Sequence, residues 1–136
     1  MSEKLPSGVV FDRAALIEFA HQGPYTLAIA FAVVEMSDTL IVPTTALAEA
    51  RALVPAERLP VLEVLLDLPT TVVIDLDRTA AWSQVGAVLA AAPPVPDGLS
   101  AAHAVVAGVG RDYPVVTDRG PVLGTLDPRV TIDELP

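Results

Sequence analysis

Apolar residues in this chain fall into two kinds of run. Short β-branched runs occur at Val9-Val10-Phe11, Leu40-Ile41-Val42, Thr71 to Ile74 and Pro114 to Thr117, with a weaker one at Arg129 to Ile132. None alternates with polar residues, and that pattern predicts strands covered on both faces of a parallel sheet. Between them lie helical patterns. Leu16, Ile17 and Ala20 are spaced for a helix from Arg13 to Ala20, and Leu27, Phe31 and Val34 make an apolar stripe after the Gly23-Pro24 break. Leu47, Glu49, Ala50 and Leu53 belong to a helix that Thr44 or Thr45 can cap. Further helices are expected near Pro60 to Leu66, around Trp82, Val85 and Leu89 after an Asp77 cap, and from Ala101 to Val109 after a cap at Asp97 or Ser100. The last is apolar almost all round and predicts a buried helix. His21 is placed to meet the carbonyls at the end of the first helix, and Gly108-x-Gly110 reads as a helix C-cap. The alternation of strands and helices predicts one doubly wound α/β domain over residues 1–136.

Composition narrows the function classes. Of 136 residues, 52% are hydrophobic and 18% charged, which excludes a disordered chain. Lys and Arg number 8 against 17 Asp and Glu, a net charge of -9, so a broad electrostatic grip on nucleic acid is not expected. With no cysteine there is neither a disulfide nor a thiolate metal site. The stretch Thr79 to Pro96 is uncharged but carries Pro93, Pro94 and Pro96, so no membrane span is expected. The opening MSEKLPSGVV has no apolar leader, and the cytoplasm is the expected compartment. The apolar excess predicts a buried face beyond one core, hence a homodimer or a partner-bound chain.

Candidate chemistry gathers at strand ends, where open parallel sheets bind ligands. Three strands run into an aspartate: Asp12, Asp75 and Asp118. Glu49 adds a carboxylate near the start of the helix after the second strand. Carboxylates facing one crevice repel one another and invite a hard divalent cation. A lone strand-end aspartate serves equally as a helix cap.

The segments VVFDRAALIEFA, TLIVPTTALAEA and LSAAHAVVAGVGRDYPVVTDRG resemble, in order and spacing, the PIN-domain family, of the kind found in VapC-type toxins of toxin–antitoxin pairs. The resemblance runs from about Gly8 to Leu135. It implies a three-layer α/β fold with a central parallel five-stranded sheet and helices on both faces. It also implies a ribonuclease dependent on Mg²⁺ or Mn²⁺, acting on an RNA substrate and held by an antitoxin protein. The family's first acid matches Asp12 and its second Glu49. The third normally opens the buried helix in a pattern like Asp-Ala-x-x-Ala, and that place is read here as His103-Ala104-Val105-Val106-Ala107. The fourth follows a strand-ending threonine by one or two residues, and Asp118 follows Thr117. Asp12, Glu49 and Asp118 are thus the expected catalytic and metal-binding set, with His103 at the third place and pointing at Asp12. An imidazole there favours Mn²⁺ over Mg²⁺. Thr117, Arg13 and Arg119 flank the crevice as candidate contacts to RNA; the two arginines can instead neutralise Asp12 and Asp118. In such a sheet the third strand is an edge, which leaves Asp75 and Asp77 to a turn and a cap.

Two other readings compete. The His103 departure and the acidic balance fit a PIN-like domain that does not cleave and acts by binding a partner protein or RNA. A doubly wound phosphotransfer domain is weakened by the lack of a strand-ending lysine, since Lys4 is the only lysine. No GxxxxGK[ST], GxGxxG or GxSxG motif occurs.

Overall fold

A computed structural model of the chain describes residues 7–77 and 79–136. The leader reading of the first residues and Lys4 lie outside the described residues. The elements run β1 (Gly8–Phe11), α1 (Arg13–Ala20), α2 (Pro24–Glu35), β2 (Thr39–Pro43), α3 (Thr44–Leu53), a 3₁₀ turn (Ala56–Arg58), α4 (Leu59–Asp67), β3 (Thr71–Ile74), α5 (Ala81–Ala91), α6 (Gly98–Arg111), β4 (Val115–Thr117), α7 (Gly120–Leu126) and β5 (Ile132–Glu134). The five strands form one parallel sheet in the order β3-β2-β1-β4-β5. The central pair, β1 and β4, is in register at Val10 with Val115 and Phe11 with Val116.

Strand pleating sends successive residues to opposite faces. Phe11, Leu40, Val42 and Val116 pack with α1, α2, α3 and α4 in one core. Val10, Ile41 and Val115 pack with α6 and α7 in the other. The result is the three-layer α/β architecture expected from the sequence. Helix α6 is buried along most of its length, as its apolar pattern predicts. Gly108 and Gly110 both lie inside it rather than at its cap, and a Cβ on Gly108 would stand 2.7 Å from Val115 Cγ2. The chain leaves α6 at Asp112, in the left-handed region at φ 57°. His21 Nδ1 lies 3.0 Å from the Ile17 carbonyl oxygen, in the capping place expected for it.

Several expectations change, among them the last strand, expected at Arg129 to Ile132 and found at Ile132–Glu134. The stripe Leu27, Phe31 and Val34 does not face the core: α2 buries Thr26, Ala30 and Val33, and Phe31 is 69% exposed. Uniformly apolar helices leave the buried face to neighbouring packing, not to periodicity. β3 is fully covered on neither face, since Val72 and Val73 point to opposite sides and both are exposed; it is the sheet edge, where only β2 pairs with it. Neither Thr44 nor Thr45 caps α3, and neither Asp97 nor Ser100 caps α6 through its side chain. Helix α7 carries no periodic signal in its Gly-Pro-rich sequence and was not expected.

Candidate functional site at the carboxyl end of the sheet

Asp12 leaves β1 and occupies the N-cap position of α1, but its side chain makes no cap hydrogen bond. The carboxylate turns instead toward the end of β4, the neighbouring strand, and is fully buried. Arg119 reaches it with two parallel hydrogen bonds: Nε donates to Oδ2 at 2.8 Å and Nη2 to Oδ1 at 2.8 Å. This is the bidentate geometry that a planar guanidinium offers a carboxylate. Thr117 Oγ1 also donates to Asp12 Oδ2, at 2.8 Å, and accepts the Arg119 backbone N–H at 3.1 Å. One threonine hydroxyl therefore aligns both members of the ion pair.

The network continues outward. Arg119 Nη2 donates to Ser100 Oγ at 2.9 Å, and Ser100 Oγ donates to Glu49 Oε1 at 2.7 Å. Arg13 Nη1 donates to the same Glu49 oxygen at 2.9 Å and to Asp97 Oδ2 at 2.6 Å. Asp97 holds a left-handed conformation, φ 50° and ψ 44°, immediately before α6. Asparagine and aspartate tolerate that region better than most residues. Its hydrogen bond to Arg13 keeps the Asp97 carboxyl below the usual carboxylate range, and Asp97 and Glu49 in turn hold the Arg13 guanidinium above its ordinary value, against partial burial.

Of the expected metal set, the fold brings Asp12 and Glu49 to one crevice. Asp118 is exposed and takes no part in the network described, because the turn after Thr117 buries Arg119 instead. His103 is buried but does not point at Asp12. Its Nδ1 lies 2.7 Å from Thr45 Oγ1, and its Nε2 is buried without a hydrogen-bond partner. Ser100, one turn earlier on α6, is the residue of that helix that joins Glu49 and Arg119.

These residues do not fit Mg²⁺ or Mn²⁺. Such ions want several free carboxylate oxygens, and both oxygens of Asp12 are bound to a guanidinium. Beside it stand the Ser100 hydroxyl and the Arg119 guanidinium. Among the described residues no three His, Asp or Glu side chains converge as a metal cage. Arg13 and Arg119 are each spent on carboxylates. Asp75 is exposed and Asp77 Oδ1 accepts the Ala80 and Ala81 N–H groups at 3.2 and 3.0 Å, which is the capping role expected of it.

No family model matches the chain, and no curated protein matches it. Among solved structures it is similar to a complex described as VapBC2 from Rickettsia felis bound to a DNA fragment from their promoter. The TM-score is 0.63 at 12% identity, over 93% of this chain and 98% of the other. That likeness is one of backbone: the chain shares a three-layer α/β fold with that structure.

Proposed function

We propose that this chain is a VapC-like PIN-fold domain that works by binding a partner protein and does not cleave RNA through a metal. The observation that carries this reading is the buried, bidentate Arg119–Asp12 pair. A divalent cation would have to displace a guanidinium that satisfies both oxygens of the buried Asp12 carboxylate. Removing the guanidinium leaves a buried charge, at a cost of about 3–5 kcal/mol.

The surface supports a protein as partner over RNA. The net charge of -9 repels a polyphosphate. The exposed side of α2 meets α4 in an apolar cleft of about 320 Å³, lined by Leu27, Phe31, Val34, Val61, Val64 and Leu68 among others. Exposed apolar faces of this kind mark interaction surfaces. One neighbour of known structure is a VapBC2 complex, and an antitoxin-like apolar helix is the partner this cleft suits. A second copy of the chain is the other occupant.

The test is cleavage of an RNA panel by the full chain with Mg²⁺ and with Mn²⁺, run beside calorimetric titration of Mn²⁺. No metal-dependent cleavage and no saturable heat are expected. Cleavage that is present in the wild type and lost in Asp12→Asn would overturn the proposal and restore the ribonuclease reading. Phe31→Asp should leave the fold unchanged and abolish capture of the product of the adjacent reading frame, read by co-purification.

A further inference from the structure

The register of β3 on β2 decides which of its main-chain groups are used. Leu40 N–H donates to the Thr70 carbonyl at 3.0 Å, Leu40 lies opposite Thr71, and Val42 lies opposite Val73. In a parallel ladder that phase turns Val72 N–H and C=O and Ile74 N–H toward β2, and the groups of Thr71 and Val73 outward. Thr71 N–H is taken by the Leu68 carbonyl at 3.1 Å. The Thr71 hydroxyl donates to the Leu65 carbonyl at 2.7 Å, which fixes the start of the strand against α4. Val73 N–H and the carbonyls of Thr71 and Val73 are left facing the outer edge, where no strand pairs with them among the described residues.

Sheet edges are normally blunted by a charged side chain, a proline or a bulge. Thr71-Val72-Val73-Ile74 carries neither charge nor proline, and its four residues pair with β2 without a break. Neither face of the strand is closed. Val73 shares the α4 side with Val42 and is 43% exposed; Val72 shares the α6 side with Ile41 and is 46% exposed. On the α6 side a cavity of about 660 Å³ opens between the end of β3, the start of α5 and α6, with Asp75, Ala81 and His103 among its lining residues. In a chain of net charge -9, the run from Leu68 to Ile74 carries no charge at all. A second copy can therefore approach this strip without setting like charges face to face, which most of an acidic surface forbids.

We infer that two copies of this chain pair β3 with β3, antiparallel about a two-fold axis, and so join two five-stranded sheets into one. The strip is complementary to itself in one register. With the axis at Val73, the two Val73 residues exchange their outward N–H and C=O groups, and the Asp75 N–H of each copy falls opposite the Thr71 carbonyl of the other. Side chains meet Val73 against Val73 on the α4 side and Val72 against Ile74 on the α6 side, apolar on both faces. An axis at Thr71 fails, because its N–H is already bound to Leu68. An axis at Asp75 sets two carboxylates face to face. β3 contributes no residue to the α2–α4 cleft, so this surface and a partner in that cleft are independent.

The experiment is sedimentation equilibrium of the full chain across the micromolar range, with amide hydrogen exchange at the two ends of that range. A monomer–dimer equilibrium is expected. Val73 N–H should exchange about tenfold more slowly at the dimeric end than at the monomeric end, while Val72 N–H, bonded to β2, keeps one rate. Val73→Pro removes the outward N–H at an edge position that tolerates proline, and Val73→Lys sets two ammonium groups side by side. Each variant should be monomeric, and Phe31→Asp, altered in the separate cleft, should remain a dimer. A wild type that stays monomeric, a Val73 amide insensitive to concentration, or dimers retained in both Val73 variants would overturn the inference. So would dimers lost in Phe31→Asp alone, which would put the second copy in the α2–α4 cleft. The exchange measurement uses the unaltered chain and decides the matter independently of how either variant folds.

Discussion

Two helices meet along one seam and produce two unlike polar regions. On α3, Thr45 and Glu49 are four residues apart and share a face; on α6, Ser100 and His103 are three apart and share another. Glu49 meets Ser100, and Thr45 meets His103. The first contact opens into a network in which each carboxylate finds a guanidinium, from Asp12 through Arg119 and Glu49 to Arg13 and Asp97. The second ends in a nitrogen with no partner. The difference teaches that neighbouring positions on one helix need not share a chemistry. What decides is whether a long, charged side chain from another element reaches in. Arg119, delivered by the turn after β4, reaches Ser100; His103 lies against Thr45 and a cavity.

The sharpest break of this contrast is Arg119→Ala. It leaves Asp12 charged, buried and unpaired, and should cost about 3–5 kcal/mol in chemical denaturation. Excess Mn²⁺ should then recover part of the loss in the variant by binding the freed carboxylates, while the wild type stays insensitive. Asp12→Asn should be next, with a loss of about 2–3 kcal/mol by the same measurement, because Arg119 loses its counter-charge. On the sequence alone this change relieves repulsion between carboxylates and gains stability. The ion pair reverses that sign.

Thr117→Val removes one hydroxyl that donates to Asp12 and accepts from Arg119, with little change of shape. A loss of about 2 kcal/mol is expected, in line with hydrogen bonds to charged groups, and a neutral result would show that the salt bridge aligns itself. The smallest effect belongs to the other region. Folding lowers the His103 pKa from its ordinary 6.5, so the unfolded chain binds a proton the folded one refuses. Stability from this group is complete above about pH 6.5 and falls as the pH drops toward the folded value. Denaturation midpoints at pH 7.5 and 5.5 should fall in the wild type and converge in His103→Gln. His103→Asp should be destabilised with or without Mg²⁺, since the new carboxylate faces Thr45 and the Asp75 cavity rather than Asp12.

Much of the architecture was legible. β-branched runs without polar alternation specify buried parallel strands, because a face exposed to water would have shown polar residues at every second place. β1, β2, β3 and β4 fall where those runs lie, and α6 is buried where charge is absent from its pattern. α2 was misread for the converse reason: with apolar residues on every side, its periodicity named no face. Asp12 and Glu49 could be placed at the crevice from strand ends and helix starts. His103 and Asp118 could not be excluded that way. A shift of three along α6, or of one after Thr117, exchanges a crevice residue for its neighbour and leaves the sequence pattern almost unaltered.

The order of short apolar runs and helices therefore determined the layers, the parallel sheet and the end at which a site would form. Those follow from local backbone preference and from the burial of apolar surface, which act within a few residues of chain. The occupant of the site was decided in three dimensions. Asp12 and Arg119 are 107 residues apart, and only the pairing of β1 with β4 sets a guanidinium against that carboxylate. Electrostatic pairing depends on a separation of a few ångströms, and that distance exists only once the strands are side by side.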